Sequence, residues 1–296
     1  MEHQRKDRLD VPAAGVLIGF NILLGLNQSL VKLVNAGFSP VFQAGLRSVC
    51  AFIPVLMIAW LMKRRLSILD GSLPWGILNG LFFSVEFALL FVALDYTTVA
   101  RVSLFFYMMP VWVAVSAHFL IPGEALNRNR IAGLLLAVAG VAVAFSGNLG
   151  AAGEDAWKGD LLALLGGMLW ASIALLTRLK LQYVSAEMNL LYQLSVSGIV
   201  LTLFALIVGN TVREPTAFIY GVFAFQVIVI VSIGFLLWFW VLANYPVTNM
   251  ASFSLLTPIF GVFSGWLIFS DPVTPTLFIA LFLAGAGIVL VNRPVG

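Results

Sequence analysis

The stretch LAVAGV at residues 136–141 returns as LAGAGI at 283–288, an offset of 147. The same offset sets Glu124 opposite Asp271. Pro110 matches Pro258 at 148, ALDY at 93–96 matches LANY at 242–245 at 149, and Lys32 matches Arg178 at 146. A drift of one or two residues is what loop insertions produce. Shared order and offset predict an internal duplication, the first thing to seek in any chain.

What is duplicated follows from composition. The chain has 296 residues, 61% hydrophobic and 10% charged, far from the ~45–50% apolar and ~25% charged of soluble domains. No Asp, Glu, Lys or Arg occurs in 11–31, 102–123, 131–153, 188–212 or 215–270. A bilayer crossing needs about 20 apolar residues. These runs exclude a water-soluble enzyme, a nucleic-acid-binding domain and a disordered scaffold.

Charge, Pro and Gly divide the chain into ten predicted spans at 11–34, 39–62, 73–94, 98–121, 130–146, 159–179, 186–208, 217–243, 248–269 and 276–292. The expectation is an all-α integral membrane protein of two five-helix repeats, 1–147 and 158–296. Five is odd, so the second repeat enters from the opposite side, giving an inverted topology. That arrangement recurs in secondary transporters, with the substrate site near the midplane; a duplicated structural bundle with no pathway is the plainer alternative. Arg5, Lys6, Arg8, Lys63, Arg64, Arg65, Arg128, Arg130, Arg178, Lys180 and Arg293 fall on the side of the N-terminus. Only Lys32, Arg101, Lys158 and Arg213 fall on the other, so the positive-inside bias predicts both termini cytoplasmic. The charged start is read as preceding a retained first helix rather than a signal peptide.

In lipid, polar side chains turn toward other helices or a watery cavity. Ser103, Tyr107, Pro110, Ala114 and Ala117 share a face of span four, and Ala251, Ser254, Pro258, Gly261 and Gly265 share the matching face of span nine. A mid-span Pro removes a backbone donor, and two at equivalent positions point to a binding site. Arg47 and Glu86 are ionised groups inside spans two and three, at similar depths, roughly 10–12 Å from the outer boundary. Two readings stand: an Arg47–Glu86 ion pair holding the spans together, or Glu86 facing the cavity to bind an ammonium or carry a proton. Gln28 in span one, Asn79 and Phe83 in span three, and a midplane Trp170 in span six complete the predicted lining. Lys32 is read as a snorkelling anchor, His118 as a packing residue, and the Gly133/Gly140 and Gly261/Gly265 spacings as helix-packing devices.

The ten spans in two halves, ALDY before a Pro-containing fourth helix, the acidic Glu124 and Asp271 and the Gly-rich fifth helix resemble the EamA-type members of the drug/metabolite transporter superfamily. SVE at 84–86, YMMP at 107–110, LWAS at 169–172 and SLLTP at 254–258 resemble YddG-type exporters of aromatic amino acids. The resemblance implies a multi-pass protein of the cell (inner) membrane that exports small amphipathic metabolites, foremost aromatic or hydrophobic amino acids, by alternating access. Tyr107 and Trp170 would then stack on the apolar part, Ser254, Thr257 and carbonyls freed near Pro110 and Pro258 would hold the polar end, and Glu86 would supply negative charge. A broad-specificity exporter of cationic drugs and an uncoupled facilitator are the alternatives. Partners are a small-molecule substrate and membrane lipid, with no nucleic acid. No phosphate-loop motif is present, and two His residues are too few for a metal site or a nucleophilic pair. No cofactor, metal or catalytic residue is expected.

Overall fold

A computed structural model describes residues 11–121, 126–146, 153–234 and 256–291. Span one is α1 (Val11–Asn35), span two α2 (Pro40–Leu61) and span three α3 (Leu73–Tyr96). Span four is not continuous: α4 (Val99–Phe106) stops, Tyr107 and Met108 intervene, and α5 (Met109–Leu120) resumes. The break is local, because Pro110 sits in the first turn of α5, where its missing N–H costs little. Then come α6 (Arg128–Ser146), α7 (Ala156–Lys180) and α8 (Ala186–Val208). Next, α9 (Ala217–Phe225) widens into a π-helical stretch, Gln226–Ile233, and α10 (Leu256–Phe269) and α11 (Pro275–Val291) close the series. Apart from one isolated bridge between Phe38 and Val212, the described residues are helix and loop. Ser254, Glu124 and the far part of predicted span eight lie outside them.

The starts of the helices are written locally. Ser39 caps α2 by accepting from Phe42 N with Pro40 following it, and Ser185 caps α8 by accepting from Met188 N, 146 residues later. Gly209 ends α8 in the left-handed conformation, φ 74°. Among the described residues, six helical stretches are long and apolar enough to cross a membrane, and three shorter ones are apolar. Their outer faces keep large side chains uncovered, among them Trp60, Ile207 and Phe282. Such surfaces suit lipid and not water.

The side-chain contacts give each helix a direction. Gln28 meets Ser103 and Lys32 meets Thr97, so α1 and α4 run antiparallel. Arg101 meets Asp160, and a Cβ at Gly167 would stand 2.7 Å from Phe106 O, so α4 and α7 run parallel. Hence α7, the repeat equivalent of α1, runs opposite to it, and the duplication is inverted. Neighbours obey the same exchange: α1 packs on α10 as α7 packs on α4 and α5, while α3 packs on α7 as α9 packs on α1. The pair α6–α11 lies on the symmetry axis. A Cβ at Gly133 would approach Gly287 O to 2.6 Å, and one at Gly140 would meet Ala280 O at 2.9 Å. The two copies of the repeated motif therefore face each other.

Candidate functional site

We call the membrane face where α1 begins the near face and the other the far face. The far face carries a set of charged ties between helices. Arg101 donates Nε to Asp160 Oδ1 at 2.9 Å and Nη2 to Oδ2, and Thr97 Oγ1 adds a third bond at 3.2 Å. Arg213 donates to Asp95 at 2.7 Å and to Asn35 O at 2.8 Å, which clamps the loop before α9 onto α1 and α3. Lys32 donates to Thr97 O at 2.7 Å and lies over the Phe269 ring. It is thus held inside the protein rather than snorkelling. Asp271, between α10 and α11, accepts from Val99 N at 2.9 Å and so caps α4 from the opposite repeat. Burial raises the Asp271 carboxyl above its ordinary value, against the pull of Lys32 and the Val99 and Ala100 N–H groups. A cleft of about 360 Å³ opens here between Lys32, Asp95, Thr97, Phe269 and Asp271.

Deeper in, the break in span four carries an aromatic cluster. The Phe106 ring stacks on Trp170, centroids 5.1 Å apart and planes at 16°, and Tyr107 meets Trp170 edge-on at 5.9 Å. Gly166 lets three helices meet: a Cβ there would stand 3.4 Å from the Phe106 ring and 3.7 Å from Glu86 O. Tyr107 and Trp170, two of the predicted lining residues, are therefore together, and the backbone of Glu86 is next to them. Just past the break, Trp112 keeps a buried indole N–H with no hydrogen-bond partner among the described residues.

Arg47 and Glu86 are both buried, 5% and 3% exposed, and of the two readings the ion pair does not form: no ion pair within 4.0 Å joins them. The reason lies in the helix period. Arg47 places its guanidinium 4.6 Å from the Phe87 centroid and 4.8 Å from that of Phe91, and that stripe lies about 100° around α3 from Glu86. Its hydrogen bond goes to Asn27 Oδ1 at 3.4 Å. Glu86 Oε2 has no partner among the described residues, although the opposite charges remain close enough to attract. Phe83 extends the ring ladder, 4.0 Å from Phe87.

The other predicted residues serve elsewhere. Gln28 accepts from Ser103 Oγ at 2.5 Å, and its Nε2 has no partner among the described residues. Thr257 donates to Asn21 Oδ1 at 2.5 Å, and Ser29 bonds Ser264 at 2.7 Å, so these groups clasp α10 to α1. Pro258 is in the first turn of α10 as described. Asn79 bonds Asn189 at 2.7 Å, part of a knot with Thr177 toward the near face, away from Glu86. His118 is exposed and accepts from Leu126 N. Gln43 and Gln226, uncharged and so inconspicuous in the sequence, are fully buried with both amide ends unpartnered among the described residues. Gln43, one turn before Arg47 on the same face of α2, could have been found by that spacing. Among the described residues, no three His, Cys, Asp or Glu side chains gather as a metal site.

Known proteins resemble the whole chain. A "Probable amino-acid metabolite efflux pump" of Escherichia coli (strain K12) is 23% identical over 286 residues, covering 90% of each chain. "Uncharacterized transporter YoaV" of Bacillus subtilis (strain 168) is 21% identical over 92% of this chain and 94% of that protein. An "Uncharacterized transporter" of Archaeoglobus fulgidus is 31% identical over 69% of this chain and 72% of its own length. A solved crystal structure, 20% identical, covers 94% of this chain and 97% of that chain with a TM-score of 0.66, a likeness of fold alone. Residues 12–146 and 157–293 each match the EamA-like transporter family. A unit matched twice in sequence and found twice in space, the second copy upside down, places this multi-pass membrane protein in the EamA-like transporter family.

Proposed function

We propose that this transporter exports small amphipathic metabolites, foremost aromatic or hydrophobic amino acids, with both termini cytoplasmic. The observation that carries this reading is the broken span four, which gathers Phe106, Tyr107 and Trp170 next to the backbone of the helix turn that carries the buried Glu86. Aromatic faces bind rings and alkyl groups, and a buried carboxylate favours an ammonium. The efflux role named for the Escherichia coli relative agrees. The inverted repeats support alternating access, in which the charged ties at the far face would part as the near face closes.

Protein reconstituted in liposomes tests the reading. Labelled phenylalanine is expected to cross saturably. Tyr107→Ala and Trp170→Ala should each raise KM by roughly threefold to tenfold, the value of one aromatic contact. Saturable flux of no aromatic or aliphatic amino acid overturns it.

A further inference from the structure

We propose that Arg47 and Glu86 are the two poles of a zwitterion site, Arg47 taking the α-carboxylate and Glu86 the α-ammonium of one amino acid. The inference rests on the exporter reading above and adds the group that reads the carboxylate.

Among the described residues neither charge has an ionic partner in contact. Both are more than nine-tenths buried, where an unpaired ion is strongly disfavoured. They nevertheless stand apart: no ion pair within 4.0 Å joins them, and Glu86 Oε2 has no partner among the described residues. Arg47 has a single long hydrogen bond, to Asn27 at 3.4 Å, while Phe87 and Phe91 hold the plane of its guanidinium. A guanidinium presents five N–H donors, and among the described residues only Nη1 of this fork has a hydrogen-bond acceptor. One turn along the same face, Gln43 offers a fully buried amide with both atoms unbonded among the described residues.

The ligand that completes such a pair has matching charges of its own, close together. The two oxygens of a carboxylate suit the planar fork of Arg, and an ammonium suits Glu86 Oε2. In an α-amino acid these groups flank one carbon, so one molecule bridges two poles that do not touch. A permanently cationic drug would meet Arg47 as a repelling charge, and a dianion would meet Glu86. The site therefore selects for amino acids against both by repulsion as well as attraction.

The test is counterflow of labelled phenylalanine in liposomes, with phenylalanine, phenethylamine (no carboxylate), 3-phenylpropanoate (no ammonium) and a quaternary ammonium as competitors. In the wild type, each analogue should compete roughly ten- to a hundredfold more weakly than phenylalanine, the loss of one charged hydrogen-bonding partner. Arg47→Gln should erase the preference for phenylalanine over phenethylamine. Glu86→Gln should erase its preference over 3-phenylpropanoate. Arg47→Lys, which keeps the charge without the fork, should give an intermediate preference and decides the matter if Arg47→Gln does not fold. Phenethylamine or the quaternary ammonium competing as well as phenylalanine in the wild type overturns the inference, as does unchanged discrimination in both folded glutamine variants. If the wild type moves no amino acid, the exporter reading itself falls and this inference with it.

Discussion

Asp160 shows how much one carboxylate can tie together. Wholly buried, it receives two donors from Arg101 and one from Thr97, and so joins α7 to α4 and to the end of α3. Taking away Arg101 leaves the carboxylate buried and unpaired, which costs about 3–5 kcal/mol, whereas replacing both partners by apolar groups of similar size is near neutral. Arg101→Ala should therefore lower the thermal unfolding midpoint in detergent sharply, and the double change Arg101→Met with Asp160→Leu should recover most of the loss. Equal midpoints for the single and double variants would show that the pair is not what holds these helices. Single residues were the least legible part of the chain. Arg101 reads in sequence as a boundary charge because its partner is 59 positions away, and for Arg47 and Glu86 similar depth leaves both an ion pair and a cavity-facing Glu86 open. Depth is linear in sequence; which way a side chain faces depends on packing against elements that the local pattern does not specify.

Elements were easier to read, since apolar length, serine caps and prolines are local. Ser39 and Ser185 cap α2 and α8 at equivalent positions. The departures come where tertiary packing overrides the pattern: span four is broken at Tyr107–Met108, and span eight widens into π-helix from Gln226. Neither the exact stop of α4 nor an extra residue per turn leaves a mark in hydropathy. The glycine spacing of spans five and ten was legible, and its partner is now visible in the contact between Gly133 and Gly287. A side chain on either has no room, because the facing atoms are backbone carbonyl and amide, which cannot swing aside. Gly133→Leu and Gly287→Leu are expected to destabilise by at least about 1–3 kcal/mol, read as a lower midpoint. Gly19→Ala meets nothing within 4 Å and should be neutral or up to about 1 kcal/mol stabilising. Equal tolerance at all three positions would remove the close approach as an explanation.

For the whole molecule, the two repeats meet at the far face, and this gives a pH dependence whose sign can be worked out. Asp271 has a folded-state value above its ordinary 3.8 because burial outweighs Lys32 and the two N–H groups. The folded protein keeps a proton that the unfolded chain releases, so this contribution to stability is complete below 3.8 and is lost as pH rises through the folded value. Asp271→Asn still accepts from Val99 N but does not titrate. Its stability should fall less than that of the wild type as pH rises from about 4 toward 7, measured by thermal unfolding across that range. Parallel curves would count against the assignment. At this scale the chain was most legible, since an offset of 147 and an odd span count suffice for an inverted duplication, while orientation of the charged ties needed coordinates. The seam between α6 and α11 carries a historical meaning as well. Two copies of one motif touching across a two-fold axis form an isologous contact, the kind that a chain half this length can make with an oppositely inserted copy of itself. Within one polypeptide the two copies need not be identical: position 133 is glycine while its counterpart is Ala280, one methyl larger. The present chain thus holds, inside a single fold, a contact of the kind that joins a two-fold dimer.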